Sequence, residues 1–243
     1  MHDPLNRHKA QRKEIRSFLV FLTCLAVFLA IFSLYYTEDF ALSDKECVEL
    51  NHLWQTKYRK DFRFADTWDD GKFECKSQEA HMAQAIHFLD TIKFVLPDGS
   101  TGFDFYTWLR KIDPRFGKKW MSNYVGVSIF EDNQLNISID MLEQGNPVTI
   151  AGIMVHEARH LEEGYNSHVA CINDKELRCD NRLEKNLNVG GAYSYNMYYY
   201  DNLRKYSDAG RAAKRVAKER MLYIFDNKFN DVDEQDRQAY DLD

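Results

Sequence analysis

Several protein classes are set aside by what this sequence lacks. Four prolines in 243 residues are too few for a collagen-like or linker protein. No internal repeat and no low-complexity block occurs. There is no C-x-x-C pair on which a cysteine-based zinc site would be built, no G-x-S-x-G, and no glycine loop of the kind that cradles phosphate. A mean hydropathy of −0.55 excludes a multi-span membrane protein. With 44% hydrophobic, 14% aromatic and 29% charged residues the chain can nevertheless bury a core.

The most telling absence is local. From Ser17 to Tyr36 the chain reads SFLVFLTCLAVFLAIFSLYY, twenty residues without a charge, which is the length a helix needs to cross a bilayer core. Before it, Arg7, Lys9, Arg12, Lys13 and Arg16 outweigh Asp3 and Glu14 to give +3; after it, the chain from Thr37 onward carries −9. Basic flanks stay on the cytoplasmic side. Residues 1–16 therefore read as a cytoplasmic basic stub, 17–36 as a transmembrane signal anchor and 37–243 as an exoplasmic domain with an acidic C-terminal tail that is expected to fray. The expected location is single-pass in the membrane, with the C-terminal domain periplasmic or extracellular. No small-residue cleavage box follows Tyr36, as a cleaved signal peptide would need. Phe21-Leu22-Thr23 does not match the small-residue box before a lipidated cysteine, so Cys24 reads as an apolar helix residue.

Outside that segment lie Cys47, Cys75, Cys171 and Cys179, an even number in an oxidising compartment. The short separation in CINDKELRC pairs Cys171 with Cys179. Cys47 and Cys75 are left to staple the start of the domain to its next helix.

Hydrophobic periodicity gives an α+β, mainly helical domain with a small antiparallel sheet or hairpin. Ser43 with Glu46 three residues on is a capping-box pattern that opens a helix reaching about Tyr58. Further helices are expected over 77–94, 103–112, 147–161, 180–205 with a break at Gly190-Gly191, and 207–227. Residues 124–129 and 135–139 alternate with period 2 on either side of Glu131-Asp132-Asn133, a hairpin signature.

The chemistry is concentrated in Asn146-Pro147-Val148 to Leu161. Asn146 is an N-cap, Pro147 suits the first helical position, and Gly164 is placed to end the helix. Within it, His156-Glu157-Ala158-Arg159-His160 is an H-E-x-x-H motif. Histidines four apart share one helix face and can hold one zinc ion, while Glu157 can reach a water bound to that ion. Arg159 is expected to pair with a carboxylate or cap the site.

A hairpin followed by HEARH on a helix resembles the zincin group of zinc metallopeptidases, over about residues 122–195. The run HEARH-x7-H-x2-C-x7-C-D followed by GGAY is also similar to a group of bacterial secreted or anchored proteins of that type. The resemblance implies Zn2+ as cofactor, His156 and His160 as ligands, Glu157 as general base, and hydrolysis of peptide bonds through a zinc-bound water. Catalytic zinc normally has three protein ligands. The metzincin spacing for the third is not met, because Gly164 stands four and His168 eight residues past His160. His168 is placed first, returned to the metal by a similar chain reversal, with Asp180 and Glu184 as the carboxylate alternatives. Tyr193 and Tyr195 are available to steady an oxyanion, although six tyrosines between Tyr193 and Tyr206 prevent spacing from choosing among them.

The expected function is thus a membrane-anchored exoplasmic zinc metallopeptidase acting on a polypeptide or a cell-wall peptide. The alternatives are a non-catalytic exoplasmic binding module or a zinc-dependent amidase on cell-wall peptides. His81 and His87, six apart, are poorly spaced for a shared metal. Arg211, Lys214, Arg215, Lys218 and Arg220 form a basic helix face in an acidic exoplasmic domain, which does not point to nucleic acid.

Overall fold

The computed structural model describes residues 40–68, 72–92, 95, 104–122, 125–144, 146–165, 184, 187, 190–229 and 231–242. The 17–36 segment, His168, Cys171, Cys179 and Asp180 lie outside these residues. Among the described residues no helix is long and apolar enough to cross a membrane.

The Ser43 hydroxyl accepts from the Glu46 amide while the Glu46 carboxylate accepts from the Ser43 amide, so the capping box opens helix α1, Asp44–Leu53. The helix continues as a π-helical turn, Trp54–Tyr58, and one further turn, Arg59–Asp61. Strand β1, Arg63–Phe64, follows. Helix α2, Gln78–Thr91, is capped by Ser77 and buries Ala80, Met82, Ala83, Ile86 and Leu89. The expected disulfide joins Cys47 of α1 to Cys75, just ahead of α2, with Cα atoms 5.5 Å apart.

Helix α3, Phe105–Ile112, leads into β2, Arg115–Lys119; β3, Gly126–Ile129, and β4, Gln134–Ser138, form the expected hairpin. The sheet is larger than that hairpin. Among the described residues it has four strands in the order β1-β2-β4-β3, with β1, β2 and β4 parallel and β3 antiparallel. The expected small antiparallel sheet is therefore corrected to a mixed one. The added strands form because the buried ring of Phe116 packs 5.6 Å from the half-buried ring of Phe64, a gain from tertiary packing that a five-residue run with three charges does not announce.

Short helix α4, Ile139–Gln144, precedes α5, Pro147–His160, which packs against α2, β3, β4 and two later helices. These are α6, Ala192–Tyr206, and α7, Arg211–Lys228. Residue 184 is not helical, as the expected 180–205 helix required; it makes a parallel bridge to Phe229. The tail also differs from expectation. An Asp233–Asp236 capping box starts α8, Glu234–Ala239, and Tyr240 and Leu242 are buried. Arg204 holds this end through Asp241 at 3.0 Å, and Arg237 bonds Asp226 at 2.6 Å. Two of the acidic residues, Asp226 and Asp241, thus have cationic partners, and burial of Tyr240 and Leu242 seats this end.

Candidate metal centre

Helix α5 starts where Asn146 accepts a hydrogen bond from the Thr149 amide at 2.8 Å, with Pro147 in the first turn. Every residue of α5 is buried except His156 and His160. Their spacing of four puts both imidazoles on the one open stripe of an otherwise enclosed helix. The two Nε2 atoms lie 3.2 Å apart. Two imidazole nitrogens each about 2.0–2.1 Å from one tetrahedral ion would be separated by roughly 3.3 Å. The observed separation is close to that value.

The chain after α5 fixes the protonation of one ligand. Gly164 takes φ +85, a left-handed conformation that turns the chain back, and the Tyr165 carbonyl comes within 2.7 Å of His160 Nδ1. A carbonyl only accepts, so Nδ1 carries the proton and the neutral ring keeps its Nε2 lone pair for a metal. The Tyr193 ring lies tilted against that of His156, with centroids 4.6 Å apart.

Glu157 faces the hairpin. It is 9% exposed, and its pKa is pushed up to about 7 by burial, opposed by hydrogen bonds from the Ser128 hydroxyl and amide. Gly126 makes this approach feasible: a Cβ there would lie 2.5 Å from Ile153 Cγ2 and 3.0 Å from Glu157 Cγ. The sequence reading missed both residues. A glycine inside the alternating Val125-Gly126-Val127 was the available signal of close backbone approach.

Arg159 has the carboxylate partner expected of it, Glu162. Its Nε also donates to the Gly190 carbonyl at 2.8 Å, and its guanidinium lies 3.3 Å from the Tyr165 ring centroid and 4.2 Å from that of Tyr195. It ties the chain on either side of the site together.

Of the three candidates for a third ligand, Glu184 is the one within the described residues. Its carboxylate accepts from the Tyr193 amide at 2.6 Å, the Ser194 amide at 3.1 Å and the Ser194 hydroxyl at 2.9 Å, capping α6. Burial raises its pKa while these bonds and the nearby Arg159 lower it. Gly191 permits the cap, since a Cβ would meet Glu184 Oε1 at 2.5 Å. No group of three or more His, Cys, Asp or Glu able to hold a metal occurs among the described residues. Beyond the C-terminal end of α5, Leu161 and Glu162 join Thr107, Trp108, Lys111, Ile112 and Tyr195 around a cavity of about 410 Å3.

No family model, curated protein or solved structure matches the chain.

Proposed function

We propose that the chain is a zinc-dependent peptidase anchored by residues 17–36, with its catalytic domain on the exoplasmic side. His156 and His160 are two zinc ligands, and His168 is the proposed third. The single observation that carries this reading is the 3.2 Å separation of the two Nε2 atoms on the open stripe of a buried helix. When bound, zinc supplies Lewis-acid polarisation of the scissile carbonyl and acidifies a water. Glu157, with a pKa near 7, is matched to accept a proton at its carboxylate and return it to the leaving amine. The Tyr165 carbonyl holds the His160 tautomer. Strand β3 is the outermost strand among the described residues, and its Ser128 amide is turned to Glu157, so this strand borders the site. A polypeptide is the proposed substrate class.

A second reading is favoured by one observation: Glu157 accepts two hydrogen bonds from Ser128. On that reading Glu157 clamps the hairpin to α5, zinc is structural, and the domain is a non-catalytic binding module. Full-length protein in nanodiscs separates the two. The peptidase reading expects stoichiometric zinc and cleavage of a mixed peptide library that Glu157→Gln abolishes. Stoichiometric zinc without cleavage sinks the peptidase reading and leaves the clamp; absence of bound zinc sinks the peptidase reading and leaves a binding module that needs no metal.

A further inference from the structure

At the edge of the sheet away from β3, a second cavity of about 520 Å3 is lined by Arg59, Phe62, Arg63, Phe64 and Arg115. Arg63 and Arg115 are register partners on the adjacent parallel strands β1 and β2, so two guanidinium side chains leave the sheet about 4.8 Å apart. Like charges so placed repel. Each has one carboxylate at the rim: Arg63 Nε lies 3.1 Å from Asp113, and Arg115 Nη2 lies 3.2 Å from Asp66. These pairs are wet; the Asp66 side chain is 94% exposed and that of Asp113 54%, which leaves their attraction weak. The Arg63 Nη2 also donates to the Asp113 carbonyl, so its Nε edge is taken by Asp113; each guanidinium carries five donors in a planar fork, which leaves N–H groups beyond these bonds. The third, Arg59, is held 6.0 Å from the ring centroids of Trp54 and Phe64. Three cations thus bound one cavity whose remaining walls are phenyl rings, in a chain that is acidic overall.

We propose that this cavity binds a compact oxyanion, inorganic phosphate or the phosphate of an ester, through Arg59, Arg63 and Arg115. The guanidinium fork matches phosphate oxygens bidentately, and one anion between Arg63 and Arg115 turns their repulsion into attraction. The cavity exceeds a bare phosphate, and Phe62 and Phe64 offer apolar wall for the organic part of an ester. The inference does not rest on the peptidase reading. Sheet order places β4 between β2, which lines this cavity through Arg115, and the strand that touches Glu157, roughly 10 Å across.

The test uses the full chain in phosphatidylcholine nanodiscs, following arginine Nε–H resonances during titration with inorganic phosphate and, at matched ionic strength, with chloride. The expected result is a saturable shift of Arg59, Arg63 and Arg115 with phosphate alone, while Arg110 and Arg204 stay put. Arg63→Lys and Arg115→Lys keep the charge but lose the fork, and each should weaken binding about tenfold. A parallel series in nanodiscs of equal parts phosphatidylcholine and phosphatidylglycerol distinguishes the source. Resonances already shifted before phosphate is added identify a lipid headgroup; unshifted resonances that still titrate identify free phosphate or a soluble ester. Phosphate shifts no larger than those from chloride, or lysine variants that bind like the wild type, overturn the proposal.

Discussion

Gly152 of α5 lies directly against the hydroxyl of Tyr200 on α6, with no room for a Cβ between them. Together with the tilted contact of the His156 and Tyr193 rings, this contact runs α5 and α6 antiparallel and fixes the height of the HEARH face. In an exposed helix, glycine to alanine gains up to about 1 kcal/mol of propensity. Here Tyr200 is 2% exposed and its ring is locked 4.9 Å from that of Tyr199, so overpacking wins. Gly152→Ala should cost about 1–3 kcal/mol in chemical denaturation and weaken zinc binding by tilting His156. A stabilised variant with unchanged zinc affinity would contradict this account of the helix pair.

Ser128 and Glu157 allow the catalytic and structural roles of one carboxylate to be separated. Glu157→Gln keeps an acceptor for Ser128 but cannot take a proton, so hydrolysis should fall about 10²- to 10⁴-fold with zinc retained. Glu157→Ala loses the acceptor as well and leaves the half-buried Ser128 donors without it, adding about 1 kcal/mol of instability. Peptide-library cleavage and denaturation midpoints on the same samples check both. Equal activity in wild type and Glu157→Gln removes the general base from the mechanism.

What the sequence disclosed and what it withheld divide along the range of the interactions. Ser43 with Glu46, Ser77, and Asn146 with Pro147 are local signals, and each starts a helix in the structure. The period-2 runs around Glu131-Asp132-Asn133 likewise become the β3–β4 hairpin. Strand β2 was invisible because Arg115, Lys118 and Lys119 mask a run whose strand character comes from Phe116 packing on β1. The Ser128–Glu157 bond joins residues 29 positions apart, and no local period links them. Glu184 was weighed as a ligand from its position alone, whereas its carboxylate is fixed by approach to Gly191 and the start of α6. Acidic charge in the tail concealed the Asp233–Asp236 capping box and the burial of Tyr240 and Leu242 beyond it.

The Cys47–Cys75 bond closes a loop of sequence separation 28. Loop-closure entropy for such a span corresponds to about 3–4 kcal/mol. The double variant Cys47→Ala/Cys75→Ala should lose that much stability, and wild-type protein unfolded under reducing conditions should match it. Because α1 contacts α2, which in turn packs on α5, the loss should appear as a lower midpoint for the whole exoplasmic domain. A separate early transition confined to α1 would show instead that the staple serves only the N-terminal segment.

The buried Glu157 also sets a pH signature in the metal-free chain. Its pKa is raised from 4.5 to about 7 by burial, so the folded state holds the carboxyl proton more tightly than the unfolded chain does. The neutral form's contribution to stability is fully present below about pH 4.5 and is lost as pH rises through about 7, because ionisation is easier unfolded. At about 1.4 kcal/mol per pKa unit the loss is on the order of 3 kcal/mol. Glu157→Gln stays neutral throughout. Denaturation of both proteins in chelator across this window should show the variant gaining on the wild type by that amount as pH rises, with no further change above the upper limit. A difference that stays flat between pH 4.5 and 7 would mean that Glu157 is solvated or already paired in the folded chain, which would also remove the basis for matching it to proton transfer near neutrality.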